Sequence, residues 1–159
     1  MFEFLLFFIA LFGTLIASYY DLKTTEIPDI LPIIMIALGI TINFLDFIIT
    51  KNPENLLLSL LNGIILSVIG FSMYFAGQWG GGDAFLLSAI GFLIPKNLFV
   101  SDNLPFFFTY LINLFLLGSI YMIIYSIFYA IKNNKAIKIF KEQVKKFSLS
   151  ILILSISFI

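Results

Sequence analysis

Two aspartates stand where their neighbours make carboxylate chemistry plausible. Asp21 lies in "ASYYDLKTTEIPDILP" and Asp83 in "GQWGGGDAFLLSAIG", each at the edge of a long apolar run. A carboxylate next to lipid is costly, so an intramembrane position for one is by default a functional hypothesis. Two carboxylates that share a water form a hydrolytic device. Mutual repulsion keeps one protonated as an acid and the other ionised as a base, with no metal, histidine or cofactor required. Each aspartate also has an ordinary reading. Asp83 follows Gly80, Gly81 and Gly82 and could simply cap a helix, while Asp21 could be a solvated group paired with Lys23.

Composition removes most competing chemistries. The 159 residues contain no Cys and no His, which excludes thiol nucleophiles, disulfides, Cys/His zinc sites and Ser-His-Asp triads. The basic residues are all lysines and the formal net charge is zero, so nothing points to nucleic acid as a partner. Every lysine lies at or beyond the end of an apolar run, which leaves carboxylates as the catalytic groups an enzyme of this sequence would use.

The elements that must hold these carboxylates are read from the apolar runs. With 61% hydrophobic and 11% charged residues and a mean hydropathy of +1.10, the chain is an integral membrane protein. Unbroken runs rather than alternating ten-residue strands predict an all-α, polytopic helical bundle of five to six transmembrane helices. The runs are Phe2 to Tyr20, Ile30 to Ile49, Leu56 to Trp79, Ala84 to Pro95 with a possible extension to Val100, and Leu104 to Ile131. A sixth, Ser148 to Ile159, has twelve residues and reads as an incomplete helix or a shallow insertion. The first run lacks a basic leading segment and a small-residue cleavage site, so it reads as a membrane helix and not as a signal peptide. With no repeat and no linker visible, residues 1–159 read as a single membrane-embedded domain.

Six lysines between Lys132 and Lys146 predict that this segment is cytoplasmic. Counting back through the helices places 21–29 and 80–83 inside, 50–55 and 96–103 outside, and the N-terminus outside. Asp21 and Asp83 therefore emerge on the same side. Within 132–147, Ile137, Phe140, Val144 and Phe147 share one helical face and lysines another, which predicts an amphipathic helix on the lipid bilayer surface. Asn43, Asn62 and Asn113 lie inside spans and are expected to bond between helices. Glu3, Asp46, Glu54 and Asp102 map to outer helix ends or loops, where carboxylates are ordinary, and Glu142 falls in the lysine-rich segment. The fourth run is short: twelve residues rise about 18 Å against a hydrocarbon core of about 30 Å, so its Asp83 end would be recessed below the inner surface.

"YYDLKTTEIPD" followed some sixty residues later by "GGGD" and a short apolar helix resembles the GxGD membrane aspartyl proteases, in the group of type IV prepilin peptidases and archaeal preflagellin peptidases. The resemblance covers about Ser18 to Pro95. It implies that Asp21 and Asp83 are the catalytic pair, that Gly80 and Gly82 are the motif glycines allowing close backbone approach, and that Lys23 occupies a commonly basic position. It implies an aspartic endopeptidase that cuts the N-terminal leader of prepilin or preflagellin substrates at the cytoplasmic membrane face. Many relatives carry lysine two residues after the second aspartate, where this chain has Phe85. Bacterial bifunctional members add a cysteine-bearing insertion and a methyltransferase activity. This chain has neither and resembles the archaeal, peptidase-only type. A presenilin-like protease acting within a substrate helix would use the same residue types, but its first aspartate lies on the helix next to the GxGD one. The alternative outside proteolysis is a transporter or channel component in which Asp21 and Asp83 bind a cation or relay protons; no inverted repeat or paired half-helices support it.

Overall fold

The computed structural model describes residues 2–97 and 104–132. It contains five helices: α1 Glu3–Thr24, α2 Ile30–Thr50, α3 Glu54–Phe75, α4 Gly81–Leu93 and α5 Phe106–Lys132. Among the described residues α1, α2, α3 and α5 are long and apolar enough to cross a bilayer, and α4 is not. The protein is thus a multi-pass, all-helical membrane protein. The expected amphipathic segment from residue 133 to 147, the run at 148–159, Asp102 and Glu142 lie outside the described residues. The chain divides into two compact units, Met1–Leu111 and Ile112–Ile159, and α5 runs through the boundary.

In the first unit α4 is the packed centre. Ala84, Leu87, Ser88, Ala89, Ile90, Gly91 and Leu93 are all buried on it, against α1, α2 and α3. Its partners bury one stripe each: Leu6, Ala10, Gly13 and Ala17 on α1, Met35 and Gly39 on α2, Gly63, Leu66 and Gly70 on α3. Their other faces expose Phe8, Phe12, Leu15, Ile34, Leu57 and Ile64, which suit lipid. Lipid tails are as apolar as these side chains, so burial from water does not drive helix to helix here. Close van der Waals fit and hydrogen bonds must do so instead. The sequence supplies the fit through small residues: a methyl group at Gly91 would fall 2.7 Å from the Asn62 carbonyl oxygen and 2.8 Å from the Gly63 Cα.

The hydrogen bonds come from two of the three intramembrane asparagines. Asn43 Nδ2 donates to the carbonyls of Gly39 at 2.9 Å and Phe92 at 3.3 Å. Asn62 Nδ2 donates to those of Ile94 at 3.1 Å and Pro95 at 2.8 Å. The last carbonyls of a helix have no partner in their own helix and cost free energy when buried unpaired. Asn43 and Asn62 meet that need at the C-terminus of α4, which lets the helix stop inside the bundle. Asn113 is exposed and makes no such bond among the described residues.

The end of the unit opposite the aspartates holds two features. Lys96 Nζ pairs with Glu3 Oε1 at 3.1 Å, joining the residues after α4 to the start of α1. Asp46 departs from expectation. It is only 4% exposed, and Asn55 Nδ2 donates to its Oδ2 at 2.9 Å. Helical spacing explains the difference: Asn43 and Asp46 are one turn apart on α2, and Asn55, Ser59 and Asn62 follow each other along one face of α3. Facing each other, the two polar stripes supply partners that a single helix does not reveal.

Candidate active site

The helix carrying Asp21 outlasts its apolar run. Leu22, Lys23 and Thr24 continue α1 beyond Tyr20, and the helix stops at Thr25, which adopts a left-handed conformation with φ of 58°. Its N–H donates to the Asp21 carbonyl at 2.8 Å. Asp21 therefore lies in the last turn of α1, at the end of the first helix as the sequence suggested, although the apolar run itself stops at Tyr20. Apolarity is required only inside the hydrocarbon, whereas helical geometry can continue into the interface. The Thr24 hydroxyl lies 2.8 Å from the Tyr20 carbonyl and 3.0 Å from that of Glu26, pinning the start of the loop that leads to α2.

Asp83 is reached from the other direction. α3 ends at Phe75, earlier than the apolar run to Trp79 implied, because Gly77 takes a φ of 70° and turns the chain. Gly80 is then extended and serves as the N-cap of α4. Asp83 is not itself the cap. It is the third helical residue, and its Oδ2 reaches back to accept the Gly80 N–H at 3.2 Å. This is the carboxylate half of a capping box. It holds one oxygen of Asp83 and leaves the other uncommitted among the described residues.

The two loops meet. A methyl group at Gly82 would fall 2.8 Å from Ile27 Cβ and 3.3 Å from the Ile27 carbonyl. The start of α4 therefore rests against the α1–α2 loop at a spacing that a larger residue would not permit. Around this contact lies an open cavity of about 770 Å³, lined by Tyr20, Asp21, Thr24, Thr25, Glu26, Ile27, Pro28, Asp29 and Gly80 to Asp83. Asp21 and Asp83, sixty-two positions apart in the sequence, line the same space. So do Gly80 and Gly82.

Lys23 is not among the lining residues. Its ammonium lies 5.8 Å from the centre of the Tyr19 ring, a cation–π distance, and in the last turn of α1 it complements the negative end of the helix. Phe85 packs edge-on to Phe71 of α3, ring centres 5.0 Å apart, so the side chain at this position faces α3. Among the described residues no three carboxylates are grouped closely enough to ligate one metal ion. Tyr20, Thr24 and Ile27 were not singled out from the sequence. The turn after Asp21 sets their place in the wall, and no residue pattern announced that turn.

Comparison with known proteins gives concordant results. The model of the type IV leader peptidase family matches residues 6–131. The chain is 38% identical over 91 residues to a preflagellin peptidase of Methanocaldococcus jannaschii, covering 57% of this chain and 38% of that one. It is 32% identical over 135 residues to a preflagellin peptidase of Methanococcus voltae, covering 79% of this chain and 56% of the relative. A prepilin peptidase of Methanothermobacter thermautotrophicus is 30% identical over 93 residues, covering 58% of this chain and 24% of the relative. The chain thus spans about half or less of the length of these relatives. No solved structure matches it.

Proposed function

Because the chain belongs to the type IV leader peptidase family, we propose that it is a membrane aspartic endopeptidase that removes the N-terminal leader of preflagellin-type or prepilin-type precursors. The observation that carries this reading is the shared cavity: Asp21 from the end of α1 and Asp83 from the start of α4 line one open space at one end of the bundle. The relatives' names supply the substrate class.

The chemistry follows from the wall of that cavity. A water between the two carboxyl groups gives a proton to one as it attacks the scissile carbonyl, while the other donates to the carbonyl oxygen. Gly80 and Gly82 keep the backbone thin beside Asp83, which leaves room for an extended substrate strand. The lysines after α5 support a cytoplasmic placement of the cavity, since basic segments are retained on that side. A leader lying in the cytoplasm would be cut where the substrate's own apolar helix enters the bilayer.

The test is processing of a co-expressed preflagellin by the wild type and by Asp21→Ala and Asp83→Ala. Each variant should remain in the membrane fraction and leave the precursor uncut. Cleavage by either at the wild-type rate would remove its aspartate from the mechanism.

A further inference from the structure

A peptide that enters the cavity brings main-chain carbonyls that leave water and need new donors. We propose that the Tyr20 hydroxyl serves one of them, a carbonyl flanking the scissile bond, and so holds the substrate strand beside the aspartates. This rests on the peptidase reading of the cavity and adds a substrate-binding group to it.

The place of Tyr20 follows from the packing of α1. Leu6, Ala10, Gly13 and Ala17 form the buried stripe of this helix, at spacings of four, three and four. The same helical period continues to positions 20 and 24, and Tyr20 and Thr24 both line the cavity. Tyr20 thus belongs to the face that α1 turns to the bundle, and its neighbour Asp21 borders the same space. The Tyr19 ring meets the Tyr20 ring edge-on, with centres 6.0 Å apart. Tyr20 itself is exposed, so a ligand can reach it. A tyrosine suits such a position, because its ring tolerates an apolar setting while its hydroxyl needs a polar partner.

Three residues of the wall carry hydroxyl groups: Tyr20, Thr24 and Thr25. Both threonines are already committed. Thr24 Oγ1 lies 2.8 Å from the Tyr20 carbonyl and 3.0 Å from that of Glu26, and Thr25 Oγ1 lies 2.6 Å from the Thr24 carbonyl. A carbonyl only accepts, so each threonine gives its proton there. The Tyr20 hydroxyl makes no hydrogen bond among the described residues. The other polar side chains of the wall are the carboxyl groups of Asp21, Glu26, Asp29 and Asp83. Hydrolysis uses the first and the last, and a carboxylate has no proton to offer a carbonyl. Lys23 is turned over the Tyr19 ring. Tyr20 is therefore the one lining side chain with a hydroxyl proton still to give, and because it directly precedes Asp21 on α1, the carbonyl it meets is one beside the bond that is cut.

The test uses the full chain in detergent and a synthetic preflagellin peptide spanning the cleavage site. Tyr20→Phe keeps the ring and removes only the hydroxyl, and should lower kcat/KM about 3- to 10-fold, the usual worth of one neutral hydrogen bond. Tyr19→Phe, at a ring outside the cavity wall, should match the wild type. A set of peptides in which each main-chain carbonyl flanking the scissile bond is replaced in turn by a methylene then finds the acceptor. On one of them the wild type and Y20F should be equally fast, because the bond is absent from both. A deficit of Y20F that stays the same on every peptide means a packing role or a bond to Asp21, and overturns the proposal. So does a Y20F protein as fast as the wild type on the unmodified peptide, or a Y19F protein as slow as Y20F. If Y20F also unfolds earlier, read from Trp79 fluorescence, the peptide set still decides, since a folding defect scales all peptides alike. A wild type that cuts no peptide overturns the peptidase reading itself, whereas the other failures leave it intact.

Discussion

The contact between Gly82 and Ile27 gives the sharpest prediction. Alanine at position 82 adds a methyl group 2.8 Å from Ile27 Cβ, where an ordinary carbon–carbon contact lies at about 3.5–4.0 Å. The start of α4 and the α1–α2 loop must therefore part by roughly 1 Å, and these are the two segments that carry Asp83 and Asp21. A misplacement of that size costs about 10²-fold in catalysis. Global stability should change little, because the tightly packed surface of α4 lies further along the helix. Gly81→Ala is the control. Its methyl group would meet Tyr74 Cε2 at 3.6 Å, an ordinary contact, and should leave activity close to wild type. The assay is the initial rate of leader removal in membranes holding equal amounts of each variant. A G82A protein as fast as the wild type, or a G81A protein as slow as G82A, would refute the argument that backbone approach at Gly82 sets the spacing of the pair.

Asn62→Leu removes the donor to the Ile94 and Pro95 carbonyls and should destabilise the bundle by about 1–3 kcal/mol, measured as a lower thermal midpoint in detergent. Asp46→Leu leaves the Asn55 amide without its acceptor and should cost about as much, while Asp46→Asn, which keeps an acceptor oxygen, should recover most of the loss; leader cleavage at low temperature should persist in both. Lys96→Ala breaks a partly exposed pair with Glu3 and should shift stability by no more than about 1 kcal/mol, an effect that salt diminishes further.

How far the sequence alone could reach differs from residue to residue. The five helices were visible because hydrocarbon thickness dictates long apolar runs, and the short fourth one was visible by the same rule. Their ends were less so. α1 runs past its last apolar residue to Thr24, and α3 stops at Phe75 although the apolar run continues, because a left-handed residue or a glycine ends a helix wherever the turn falls. Asp21 and Asp83 could be paired by topology, since counting spans places them on one side. Which surface each presents could not be counted. Asp83 was legible as a helix-start residue but not as the third helical position whose side chain caps Gly80. Asp46 was misread for a related reason: its burial depends on Asn55 and the facing stripe of α3, a property of two helices together that neither run displays by itself.

The short length of α4 and the cavity have one cause. Thirteen helical residues rise about 20 Å, roughly 10 Å less than the hydrocarbon core. Such a helix could be centred, leaving both ends partly recessed, or fixed at one end so that the whole deficit falls at the other. Asn43 and Asn62 fix one end by bonding its terminal carbonyls, and Gly39, Gly63 and Gly91 remove the side chains that would keep those backbones apart. The end left unfixed by these bonds is the N-terminus, where the α1–α2 loop packs against Gly82 through Ile27. A polar space inside the bilayer boundary is tolerable only if protein or water satisfies the backbone. At this end of α4 the Asp83 carboxylate meets part of that condition by accepting the Gly80 N–H. An asparagine pair at the far end of α4 is thus as much a part of how the cavity arises as the glycines beside it.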